Sequence, residues 1–241
     1  MPDRPSKDLE PRSSRAEIDA FLRQAAARPA PSGGRGRLLF ALDATASREP
    51  TWNEAARIQA DMFEAVGALG GLEIQLCYYR GLRELTFSPW TGDSAVLAAR
   101  MREVQCRAGH TQIERVLRHA VGETRARRIA SLVFVGDCAE EPLDHLAGAA
   151  GELAVHGVPA FMFQEGRDPL ATRAFAEIAR LTHGAHCQFD AASARELREL
   201  LCATAVYSAG GPAALEAFGN HAGRLARELR HQLGHRKPDD D

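Results

Sequence analysis

Five oxygen-bearing side chains stand where a sheet protein could use them together: Asp43, Thr45, Ser47, Thr111 and Asp137. Asp43-Ala44-Thr45-Ala46-Ser47 follows the apolar run LLFAL directly. Gly136-Asp137 follows LVFV, and Gly109-His110-Thr111 opens the amphipathic stretch before that run. The set offers two carboxylates and three hydroxyls, with neither a histidine nor a thiolate. Hard oxygen donors of this kind suit magnesium, which keeps several waters and needs few direct protein ligands. Manganese is a plausible substitute and calcium a poorer one. An Asp-x-Thr-x-Ser segment alone says little, because such residues also cap ordinary strand-to-helix turns. Its place after a buried strand, with Thr111 and Asp137 in matching positions, makes metal binding the expectation.

Short apolar runs alternate with longer amphipathic stretches from Arg37 onward, the pattern of a parallel sheet covered by helices on both faces. Strands are predicted at Leu38–Leu42, Glu73–Tyr79, Ala130–Val135, Val158–Phe163 and Ala185–Phe189. Their near-continuous apolarity fits strands covered on both sides. Arg83–Ser88 follows the second run after a tight Arg80-Gly81 turn, too close for a helical crossover, and reads as a short antiparallel edge. Helices are predicted over about Trp52–Leu69, Ser94–Gln105, Gln112–Gly122, Leu143–Val155, Leu170–Leu181 and Ser193–Ala203. The fold class is therefore a doubly wound, mostly parallel α/β sheet. In such a sheet ligands bind beyond the carboxyl ends of the strands, where the five oxygen donors lie.

Residues 37–205 read as one domain. Residues 1–36 are rich in Pro, Gly, Ser and charge, with one short helix opened by the Ser14/Glu17 capping box, and 206–241 carry a glycine-bearing helix, Ala213–Leu233, and a charged tail. The 241 residues are 45% hydrophobic and 26% charged, which excludes a collagenous or wholly disordered chain. A formal charge of −2 supplies no general pull toward nucleic acid or anionic membrane. The amino terminus lacks the apolar centre of a secretory signal, and Leu200–Leu215, the longest uncharged stretch, is too short and too broken to span a bilayer. Five cysteines without a C-x-x-C pair read as reduced thiols in a cytosolic protein. The preponderance of arginine over lysine suggests a high-GC bacterial coding bias.

These residues resemble the von Willebrand factor type A domains, whose metal-ion-dependent adhesion site reads Asp-x-Ser-x-Ser, then a remote Thr and a remote Asp. The resemblance runs from Arg37 to about Thr204. It implies that Thr45 and Ser47 bind the metal directly, that Thr111 joins in one state of the site, and that Asp43 and Asp137 act through coordinated waters. It further implies a binding rather than a catalytic domain, in which a partner's Asp or Glu completes the coordination of the ion. Bacterial intracellular members often work beside AAA+ ATPases of the MoxR type, so that partner class is permitted. Two positions depart from the family pattern: the first hydroxyl is Thr45 rather than serine, which keeps the oxygen but stiffens the side chain, and His110 replaces the usual glycine before the threonine.

Other features have plainer readings. His183-Gly184-Ala185-His186-Cys187 lacks a fourth zinc ligand at suitable spacing. His231 and His235 sit at a helix end, and the three arginines of Arg125–Arg128 form a solvated rim. Glu140 and Glu141 are expected at a helix start, where negative charge is favourable. The enzyme alternative is a phosphatase of the haloacid dehalogenase kind, with Asp43 as nucleophile. That family needs a second acid where Thr45 stands, and no lysine lies between Lys7 and Lys237. A further alternative is a metal-free structural module that binds through its tails.

Overall fold

A computed structural model describes residues 36–50, 52, 72–189, 204 and 208. The first apolar run forms β1 (Gly36–Asp43), buried along its whole length. It is joined on one side by β2 (Leu72–Arg80) and on the other by β4 (Ser131–Gly136), both parallel to it. Beyond β4 lie β5 (Ala160–Glu165) and β6 (Ala185–Phe189), also parallel. The segment after β2 forms β3 (Glu84–Phe87), which pairs antiparallel to it at the sheet edge, as predicted. Gly81, at φ 61°, makes the tight turn between them, a conformation glycine adopts without steric cost. The six-stranded order is β3-β2-β1-β4-β5-β6.

Among the described residues four helices connect the strands: α1 (Ser94–Glu103), α2 (Ile113–Ala126), α3 (Leu143–Val155) and α4 (Pro169–Leu181). Asp93 caps α1 by accepting from the backbone N–H of Ala95 and Val96, at 2.9 and 3.2 Å, satisfying two otherwise orphaned donors. Helix α2 continues a turn past the predicted end at Gly122, because that glycine faces open space while Val121 and Thr124 are buried around it.

Strand alternation divides the core. Leu39, Ala41, Leu132, Phe134, Ala160 and Met162 pack with α2, α3 and α4. Leu38, Phe40, Leu42, Val133, Val135, Phe161 and Phe163 point the other way and are equally buried. On that second face, helical Ser208 shares a 2.7 Å hydrogen bond with Ser131. The double covering is what lets the strands be apolar on both sides. The predicted helices at 14–27, 53–69, 193–203 and 213–233, and the histidines at 231 and 235, lie outside the described residues; Trp52 and Thr204, at the edges of two of them, are helical.

Candidate metal centre

The strand order reverses between β1 and β4: the chain leaves β1 toward β2 and leaves β4 toward β5. A crevice opens at the carboxyl ends of strands wherever adjacent crossovers diverge in this way. Asp43 closes β1 and Asp137 follows β4, so the two carboxylates flank that point.

Asp43 is fully buried. Its Oδ1 accepts from the backbone N–H of Thr45 at 2.7 Å, and its Oδ2 accepts from the Tyr79 hydroxyl at 2.8 Å. Tyr79 is the β2 residue in register with Asp43, which is why it can reach. Burial pushes the Asp43 carboxyl above the usual carboxylate range, although both hydrogen bonds pull it back. Burial and the adjacent Asp43 push the Tyr79 phenol well above its ordinary value, so it stays a donor.

After Asp43 the backbone tightens into a 3₁₀ turn, Ala46–Arg48. This turn brings Thr45 Oγ1 and Ser47 Oγ to 3.1 Å from each other. Arg48 holds the turn from beneath. Its guanidinium is buried, donates to the Asp43 carbonyl at 2.8 Å and pairs with Glu165 at the end of β5 at 2.9 Å. It also lies 5.4 Å from the Trp52 ring.

Thr111 sits two residues before α2 and is bound to the β4–α3 loop. Its N–H donates to Glu140 Oε2 at 3.0 Å, its hydroxyl accepts from the Glu140 N–H at 2.9 Å, and that hydroxyl donates to Glu141. The other Glu141 oxygen accepts from the Glu114 N–H at 3.1 Å. Glu140 and Glu141 were expected at the start of their own helix. They lie before it instead, α3 beginning at Leu143; Glu141 caps the amino terminus of α2 across the cleft at the Glu114 N–H, and Glu140 holds Thr111 just ahead of that helix. Gln112, the residue ahead of α2, makes no side-chain cap of its own, so the orphan donors there take carboxylates from another loop.

A cleft of about 410 Å³ opens between these loops, lined by Thr45, Ser47, Thr111, Asp137, Glu140 and Asp168, among others. Four of the five predicted residues therefore share one cavity wall, and Asp43 lies underneath the loop that carries two of them. Asp137 Oδ1 is buried and has no hydrogen-bond partner among the described residues. An orphaned carboxylate oxygen beside paired hydroxyls is a donor set that suits a hard dication and its waters. Among the described residues no three His, Cys, Asp or Glu side chains gather as a metal-holding group. The His183–Cys187 segment makes other contacts: His186 Nε2 lies 3.0 Å from Gln164 Oε1, and Cys187 is buried in β6. Tyr79 and Asp168 escaped the sequence reading because each reaches the site from another strand or loop, and Arg48 because its partner Glu165 lies on a distant strand; Glu141 was read only as a helix-start residue.

No family model matches the sequence, and no curated protein matches it either. Solved structures do. A von Willebrand factor type A protein from Catenulispora acidiphila superposes with a TM-score of 0.59 at 18% identity, over 72% of this chain and 43% of that one. The SpRpn10 VWA domain gives 0.55 at 12% identity, over 71% of this chain and 94% of that one. Proximal thread matrix protein 1 from the mussel byssus, with a zinc-occupied MIDAS motif, gives 0.51 at 13% identity, over 70% and 46%. The chain thus spans less than half the length of the first and third. With the strand order, the antiparallel edge and the crevice at the β1/β4 reversal, these likenesses give the chain the von Willebrand factor type A fold.

Proposed function

We propose that the chain is a protein-interaction module whose cleft holds a magnesium-type dication, with Thr45 and Ser47 as direct ligands, Thr111 as a conditional one, and Asp43 and Asp137 holding coordinated waters. The observation that carries this reading is the 3.1 Å pair of Thr45 and Ser47 hydroxyls in the cleft that also contains the unpartnered Asp137 oxygen. A dication bound there supplies an electrophilic position for a carboxylate from a partner. The chain's own residues do the rest. Asp43 and Arg48 fix the turn that presents the two hydroxyls, and the Glu140–Glu141 clamp fixes Thr111. The metal-occupied site of the mussel byssus protein lends support, since that protein shares the fold.

The reading is one of binding, not catalysis. A phosphatase of the haloacid dehalogenase kind needs a second acid where Thr45 stands and a phosphate-binding lysine, and no lysine lies between Lys7 and Lys237. A cytosolic bacterial setting, with a MoxR-type ATPase system as candidate partner, accompanies the proposal. Calorimetric titration of the full chain with Mg²⁺ or Mn²⁺ tests it. One binding event in the parent and none in Asp43→Ala is expected; identical null titrations in both would remove the metal from the site.

A further inference from the structure

β3 is the end strand of the sheet, and the register shows which of its backbone groups point outward. The Ser88 N–H donates to the Leu76 carbonyl at 2.8 Å, one step beyond the Cys77–Phe87 pair. Antiparallel neighbours alternate between bonded and non-bonded pairs. Thr86 and Glu84 therefore bond inward to β2, and the N–H and C=O groups of Leu85 and Phe87 point away from the sheet. The Arg83 carbonyl points the same way, because the Arg115 guanidinium, on α2, donates to it at 2.9 Å. Among the described residues no group bonds the outward backbone of Leu85 or Phe87.

The side chains along this edge are set by alternation. Arg83, Leu85 and Phe87 lie on the α2 face of the strand. Phe87, 52% exposed, is held by a 4.3 Å stack on His119, whose Nε2 lies 2.7 Å from Oε1 of the buried Gln75. Leu85 packs against the core. At the other end, Arg80 and Arg107 share Glu84, at 2.7 and 3.4 Å, whereas the exposed Arg83 and Arg115 meet no carboxylate among the described residues. The edge thus offers unpaired backbone, an apolar ring at one end and two uncompensated cations four residues away, about 13 Å along an extended strand.

We propose that β3 takes an added antiparallel strand from a partner protein, an extended segment with an apolar residue beside Phe87 and an acidic residue four positions later beside Arg83 and Arg115. The backbone groups supply affinity in such pairing, and alternate side chains select the sequence. Positions i, i+2 and i+4 of the segment share the α2 face. The acid is chosen by two cations that the structure holds, and no metal enters. A second copy does not supply it: paired antiparallel about Leu85, that copy sets its Phe87 against Arg83 and carries its Glu84 on the opposite face.

The test measures binding of a fluorescent peptide, Gly-Phe-Thr-Val-Thr-Glu-Gly, to the full chain in EDTA, so that failure of the metal site leaves the result unchanged. Replacing the peptide's Glu by Lys, or its Phe by Ser, is expected to weaken binding at least tenfold. The double variant Arg83→Glu/Arg115→Glu should reverse the preference and bind the Lys peptide better, a gain that a misfolded chain cannot show. In the added strand the Val N–H faces β3 and both Thr N–H groups face away. N-methylation at Val should therefore abolish binding, and N-methylation at either Thr should leave it within about twofold. Equal effects at Val and Thr, indifference to Glu against Lys, or a chain that dimerises and ignores the peptides would overturn the added strand.

Discussion

Buried, with neutral donors on both of its oxygens, the Asp43 carboxylate has a stability cost whose sign follows from its raised pKa. Its folded pKa is raised by burial, so its contribution favours folding below the unfolded value and is lost as pH rises through the folded one. Asp43→Asn in EDTA is therefore expected to melt higher than the parent at pH 8, by about 2–4 °C for each ~1 kcal/mol recovered, and the gain should shrink toward pH 4. Added Mg²⁺ should raise the parent's melting temperature by mass action and leave the variant's unchanged. A variant that melts lower at pH 8 would contradict this. The thiols around the site behave similarly. Burial pushes Cys106 and Cys138 up to about 11 and Cys77 up to about 12. Carboxymethylation of Cys138, followed by peptide mass spectrometry, is thus expected to be slow at pH 8 and to rise about tenfold per pH unit up to about pH 11. The places of Asp43, Thr45, Ser47 and Asp137 were legible in the sequence because each follows a strand whose burial is written in its apolar run, and that of Thr111 because it precedes a strongly amphipathic helix. Tyr79 and Arg48 were not, since what makes them functional is a cross-strand register and a pairing with Glu165, and neither leaves a local pattern.

Among the elements, the strands were the most legible. Ala185–Phe189 and the helix Leu143–Val155 fall where the sequence puts them, and the edge strand follows from a connection too short for a crossover. Boundaries moved where tertiary burial outweighed local signals, as at Gly122. The loops carrying the site are positioned by close approaches that the sequence does not announce. A Cβ on Gly109 would sit 1.9 Å from the Gly81 carbonyl oxygen, so Gly109→Ala must displace the segment leading to Thr111. It is expected to weaken Mn²⁺ binding severalfold by calorimetry and to lower the melting temperature; unchanged affinity would separate that loop from the site. Arg48→Met removes the cation from a largely buried Glu165 and the donor from the Asp43 carbonyl. Denaturant unfolding is expected to show a loss of about 3–5 kcal/mol, which Arg48→Lys should restore only in part, because an ammonium cannot span both acceptors as a planar fork does.

At the scale of the whole molecule, a near-neutral chain supplies no general field, so the proposed partner would be chosen at one face. That face exists because the strand order reverses between β1 and β4, which separates the loops enough to admit a ligand while five parallel strands hold them in place. Among the described residues no helix is long and apolar enough to cross a membrane. The same architecture supports many functions in principle, so the assignment rests on the cleft and not on the fold. A crystal structure of the full chain grown in millimolar Mg²⁺ tests the cleft most directly. The expected result is an ion about 2.0–2.1 Å from both the Thr45 and Ser47 hydroxyl oxygens, with waters bridging it to Asp43 and Asp137. The two hydroxyls still paired with each other, and no ion between them and Asp137, would contradict it.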